Sequence, residues 1–199
     1  MLMMRKIGGY RNRPKRQESL WKKRKTTIKY LLLMLCGLLL GSIAAVMCGV
    51  DGLPCRIILN RLAAIPSESL WTLWWEKALF MAILLLYLLI AGRCLWGNGM
   101  ISAAPLLFGM AQGAAVTFLL MLLGWGGMGY LLAAYILPKT VQLAGLILLC
   151  NTAHSSCEQL CGGGEKATAM LWLSGTAILA AGGLLQALIQ IKLTAGILQ

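Results

Sequence analysis

Acidic side chains are scarce in this chain of 199 residues: six Asp and Glu stand against 18 Lys and Arg, and there is a single histidine. The six, Glu18, Asp51, Glu68, Glu76, Glu158 and Glu165, are scattered, and no two fall together inside an apolar run. Paired-carboxylate acid–base chemistry therefore lacks its reagents. His154 precedes the only Ser-Gly pair on a long apolar segment, WLSG at 172–175, and that pair lacks the first glycine of a G-x-S-G elbow. No H-E-x-x-H, phosphate-binding loop or dinucleotide fingerprint is present. These absences predict that the protein is not an enzyme, and they imply no cofactor.

What is abundant is apolar. Hydrophobic residues make up 59% of the chain and charged residues only 12%, the composition of an integral membrane protein. The excess of basic residues would point to nucleic acid in a soluble protein, but its distribution points elsewhere. Eleven of the 18 Lys and Arg and one of the six acidic residues lie before residue 30, so that arm carries +10 and the rest of the chain +2. Such an arm fits a cytoplasmic tail under the positive-inside rule, with attraction to anionic lipid as a further consequence. Nucleic-acid binding is not expected, because no binding fold accompanies the charge. The expected organisation is a basic cytoplasmic arm over 1–29 and a single all-α, five-span membrane domain over 30–199.

At roughly 20 apolar residues per crossing, spans are expected at Tyr30–Val50, Leu73–Leu95, Met100–Leu123, Tyr130–Cys150 and Ala167–Ile191. The first run, 21 residues ending in VMCGVD, is too long for a signal-peptide core and lacks a small-x-small site, so it is expected to remain as a span. Residues 94–138 carry no charge and exceed one helix, and GWGGMG at 124–129, with four glycines in six residues, supplies the turn. A cytoplasmic N-terminus and an extracytoplasmic C-terminus leave thirteen basic residues inside, four outside and Lys139 within the membrane. All seven tryptophans then fall near predicted interfaces, the independent preference of that side chain.

Lipid is as apolar as leucine, so helices associate through small residues and polar contacts. Gly37, Gly41 and Ala45 in the first span, Gly109 and Gly113 in the third, and Gly175 with Ala181, Gly182 and Gly183 in the fifth are candidates for close approach. Gln112 needs a hydrogen-bond partner. ILPKTVQ, residues 136–142, is the main anomaly. A lysine at the bilayer centre costs about 2.5–3.5 kcal/mol to insert. Pro138 cannot donate a backbone hydrogen bond and disturbs the carbonyl of Ala134, so a kink there would expose carbonyl oxygens to the Lys139 ammonium. Gln142, three residues on, shares its helix face, and Gln112 is a possible partner across the bundle. Gln112, Pro138, Lys139 and Gln142 thus form a candidate intramembrane packing or binding point. A break at Pro138 would instead bring Lys139 nearer an interface.

Two further clusters stand out. Cys150, His154, Cys157 and Cys161 are spaced four, three and four apart, one face of a helix. A straight helix spreads them over about 16 Å, whereas a zinc site needs convergence. Reduced thiols at an interface are the expected reading, with a metal or redox site requiring a bend. Cys48 and Cys55 could pair across a six-residue loop. The exterior segment near 51–73 contains PCRIILNRLAA, a short amphipathic helix, then a helix start at Pro66, Ser67 and Glu68. Trp71, Trp74 and Trp75 follow as one aromatic face, either an interfacial anchor or a partner surface.

The order of a basic N-terminus, a Gly-rich first span, an exterior amphipathic segment, LLIAG, MLLGWGGMGYLL and YILPKTVQLAGLILL resembles the stage II sporulation protein M family over most of residues 30–199. The most specific pieces are Gly124, Trp125 and Gly126 and the segment beginning at Pro138. Where the wider family often has Pro-His-Gly and then an acidic residue, this chain has Pro138, Lys139, Thr140 and Gln142, so no titrating His–Glu function carries over. The resemblance implies a membrane scaffold of an endospore-forming bacterium. It would act in the mother-cell membrane during engulfment, recruiting the peptidoglycan-degrading stage II sporulation proteins D, a lytic transglycosylase, and P, an amidase and endopeptidase. A small channel or transporter with a polar site around Lys139 is the competing expectation.

Overall fold

The computed structural model describes residues 15–49, 52, 56–57, 60, 69–94, 96–125, 128–160 and 169–197. Five of its helices are long and apolar enough to cross a membrane, and no strand occurs among the described residues. The chain is therefore an all-α, multi-pass membrane bundle.

Helix α1, Lys15–Cys48, is longer than its apolar run. The expected boundary between arm and span at residue 30 is not a structural break, because the basic segment from Lys15 onward is already helical. Its residues are mostly strong helix formers, with no glycine or proline before Gly37. At 1.5 Å per residue such a helix is about 51 Å long against a hydrocarbon core of about 30 Å. Its basic half projects beyond the apolar layer.

Helix α2, Leu70–Ala91, begins where Ser69 caps it, the Thr72 N–H donating to Ser69 Oγ at 3.2 Å. The expected start at Pro66, Ser67 and Glu68 lies outside the described residues, as does most of the expected amphipathic helix after Pro54. Arg56, Ile57 and Asn60 are helical, and the Arg56 N–H donates to Gly52 O at 3.2 Å. The aromatic segment leads into the second span as one continuous helix, in line with the expectation that LWTLWW runs into the membrane. Helix α3, Gly97–Leu123, runs through the buried Pro105 and stops at Gly124, whose φ of 59° is the left-handed region that glycine enters without strain.

The fourth span corrects the expectation most. A single turn, Met128–Tyr130, leads into a π-helical stretch, Leu131–Ile136, and then into α4, Leu137–Leu160. Pro138 does not break the span. The wide turn ahead of it absorbs the missing N–H and the crowding of the proline ring, a common accommodation within helices. The helix also continues ten residues beyond the expected end at Cys150. Helix α5, Ala169–Ile197, completes the bundle.

Neighbouring residues reveal the directions. Gly37 faces Leu106 and Gly41 faces Met110, so α1 and α3 run parallel. Gly145 faces Leu179 and Gly182 faces Gln142, so α4 and α5 run antiparallel. Leu73 packs with Ala187 and Ile191, placing the start of α2 beside the end of α5. The order is up-down-up-down-up. One core cluster draws on all five helices, through Tyr30, Leu88, Ile101, Phe108, Leu149 and Leu179. The outer faces of α1 and α2 expose Leu35, Leu39, Ile43, Leu79, Ile83 and Leu86, as expected of helices solvated by lipid.

Candidate functional site

The residues of ILPKTVQ lie where α4 meets α5, near the end of the bundle that holds the start of α2. Lys139 is eight residues past Leu131, about 12 Å along the axis at 1.5 Å per residue. It shares a cleft of about 250 Å³ with Glu76 and Lys77 from the second turn of α2. Lys139 thus keeps its place in a continuous span, and the second turn of α2 lies beside it.

The expected partners of Lys139 are partly replaced. Its ammonium donates to Gln142 Oε1 at 2.9 Å, as helical spacing allows. It reaches no freed carbonyl among the described residues. The Phe108 and Tyr135 rings instead place their centroids 5.6 Å from Nζ, one on each count, within the range of cation–π attraction. The span passes from the π turn into α4 without a break at Pro138, and aromatic faces do what loose carbonyls were expected to do.

Gln142 continues the chain of contacts across the bundle. Its Nε2 donates to Gln186 Oε1 of α5 at 3.2 Å, and both glutamines are buried. Gln112 is buried on α3 as well, but its Oε1 meets no partner among the described residues, so it does not join this chain. One helical turn beyond Gln186, Gln190 Oε1 accepts from Lys77 Nζ at 2.7 Å. Gln186, Gln190 and the pairing of Lys77 were not singled out from sequence. LLQALIQ carries the signal: two glutamines four apart in an apolar span share a face and need partners in lipid.

Comparison of the chain with protein-family models, with curated proteins and with solved structures returned no match.

At the same end of the bundle, Trp71, Trp74 and Trp75 pack on one another. Ring centroids lie 5.1 Å apart for Trp71–Trp74 and 6.2 Å for the stacked Trp71–Trp75. Trp74 is half-buried against Leu73 and Ala187, while Trp71 and Trp75 remain 67% and 59% exposed. The inner ring anchors a small aromatic plate.

The cysteine cluster lies at the opposite end. The segment is helical, and no group of three metal-binding side chains converges among the described residues; Cys161 is outside them. Cys150 is buried in the core, and Cys157 Sγ donates to Cys94 O at 3.4 Å, tying α4 to the turn between α2 and α3. His154 Nε2 lies 3.4 Å from Glu158 Oε1, and the imidazole meets the Tyr30 ring edge-on at 6.4 Å. Asn151 Nδ2 donates to Thr27 Oγ1 at 3.0 Å, joining α4 to α1. These contacts are those of a packed helix junction. Cys48 is an exposed free thiol, and Cys55 lies outside the described residues.

Proposed function

We propose that this protein is a non-enzymatic membrane scaffold that holds extracytoplasmic, peptidoglycan-degrading proteins at a bacterial cell membrane during sporulation engulfment. The observation that carries the reading is the aromatic plate. Tryptophan held rigid by its own neighbours loses little entropy on binding, and it is enriched at binding hot spots. With the N-terminus cytoplasmic, as the basic residues favour, the plate faces the exterior.

The partner class follows from the order of segments that resembles stage II sporulation protein M: stage II sporulation proteins D and P, at the mother-cell membrane. The basic half of α1 is assigned to the anionic inner surface, where each Lys or Arg contributes about 1 kcal/mol of attraction. Work done by contact suits a chain whose described mass lies almost entirely in spanning helices.

Co-purification from sporulating cells tests the reading. Wild-type protein is expected to recover cell-wall hydrolases, and Trp71→Ala with Trp75→Ala to lower that recovery several-fold while membrane insertion is unchanged. Recovery of no hydrolase, together with solute flux through liposomes containing the purified protein, would replace the scaffold with a channel or transporter.

A further inference from the structure

The geometry points to the cleft between α2, α4 and α5 as a binding site for the phosphate head of an anionic lipid. It goes beyond the scaffold reading and stands on different residues.

Direction in the hydrogen-bond chain is the first argument. An ammonium only donates, so Lys139 fixes Gln142 with Oε1 towards itself and Nε2 away. Gln142 Nε2 in turn fixes Gln186 with Oε1 towards it. Both amide oxygens of the series are thereby turned towards a donor, and the series ends on Gln186, a residue that lines the cleft and has its amide N–H groups still to place. A cleft lined by two ammonium groups and an amide whose oxygen is already engaged fits an acceptor-only ligand such as a phosphate.

Charge is the second argument. Among the described residues that line the cleft, Lys77 and Lys139 are the cations and Glu76 the one carboxylate, a net charge of +1. The partners of Lys139 are an amide oxygen and two aromatic rings, all neutral. In a low-dielectric surrounding an ammonium without a counter-ion is costly, and an arriving anion relieves that cost.

Shape separates a lipid from a soluble anion. The volume, about 250 Å³, lies below the roughly 300–1,000 Å³ of pockets that enclose whole small molecules. It suits a headgroup whose remainder lies outside. Phe80 at the cleft wall is 55% exposed and Ile83, next along the same face of α2, is 61% exposed. Together they offer an apolar track for an acyl chain leading away from the lysines.

The test uses the purified full chain in detergent, with bound lipid counted by native mass spectrometry after titration with phosphatidylglycerol or phosphatidylcholine. Sodium chloride at about 1 M shortens the Debye length to about 3 Å and suppresses adsorption to the exposed basic half of α1. Phosphatidylglycerol is expected to be retained over phosphatidylcholine. Lys139→Gln and Lys77→Gln should each weaken retention about fivefold or more, the factor equivalent to about 1 kcal/mol per basic side chain. Lys139→Arg should keep it. If Lys139→Gln aggregates, Lys77→Gln and Gln186→Leu carry the comparison. Inorganic phosphate that binds alone with the same lysine dependence, and displaces the lipid completely, would identify soluble phosphate as the source of the headgroup chemistry. Equal retention of phosphatidylglycerol by wild type, Lys77→Gln and Gln186→Leu would overturn the assignment.

Discussion

Two seams hold the bundle together, and they do so by different chemistry. Along α1–α3, a side chain added at Gly37, Gly41, Gly109 or Gly113 would overlap backbone of the facing helix: Leu106 O, Met110 O, Met34 O and Leu38 O respectively. The glycines sit reciprocally, two on each helix, and the backbones approach to a distance that permits nothing larger. Along α4–α5, Gly145 and Gly182 also allow close approach, but Gln142 and Gln186 bond across the seam and Lys139 extends the bond outward. One seam is set by shape and the other by shape plus polarity. In lipid, where apolar burial does not drive association, these are the two available sources of specificity.

The first seam is the more easily disrupted. Gly41→Val is expected to exceed the roughly 1–3 kcal/mol typical of overpacking, because the group it strikes is backbone and cannot rotate away. Thermal unfolding in detergent should show a large loss of stability or a bundle that fails to assemble. Gly124→Val, at a turn with open space around it, should cost less, with only its positive φ to strain it. Similar losses for the two would mean that the glycines of the first seam do not depend on close approach.

The second seam should respond more mildly. A double-mutant cycle with Gln142→Leu and Gln186→Leu is expected to give a coupling of about 0.6–1.7 kcal/mol, the range for interhelical hydrogen bonds in membranes. Lys139→Met should leave insertion intact, since it removes an insertion cost of about 2.5–3.5 kcal/mol, yet reduce assembly with partners. Normal complex formation by that variant would remove Lys139 from partner assembly. Smallest of all, Ser42→Ala removes the one side-chain hydrogen bond described in the α1–α3 seam, Ser42 Oγ to Gly113 O at a long 3.4 Å. Its expected effect is below about 0.5 kcal/mol, and a larger value would make the first seam polar after all.

Much of this was legible in the residues and some was not. Hydropathy marks five spans because each crossing needs its own apolar run, and GWGGMG marks a turn because glycines favour one. The glycines of the first and third spans were recognisable as close-approach residues, but nothing local says that they face each other. Gln112 and Gln186 look alike in sequence; among the described residues the oxygen of one meets no partner, and the other completes a chain from Lys139. The end of the fourth span was misplaced because CNTAHSSCEQL lowers hydropathy without opposing helix, so the helix runs on after the apolar run ends.

The order of residues is enough for the all-α class, the number of spanning helices, the concentration of positive charge before the first of them, and the need to compensate Lys139. These are local properties, governed by the length of apolar runs and the cost of charge in hydrocarbon. Packing in three dimensions settles that α1 pairs with α3 rather than with α2, that a π turn rather than a break precedes Pro138, and that Phe108, Tyr135 and Gln142 meet the lysine while Gln186 holds Gln142. The physical reason is that lipid-facing and helix-facing surfaces are equally apolar. Hydropathy cannot tell them apart, so partner and register are settled where two backbones can approach and where polar groups from distant segments meet.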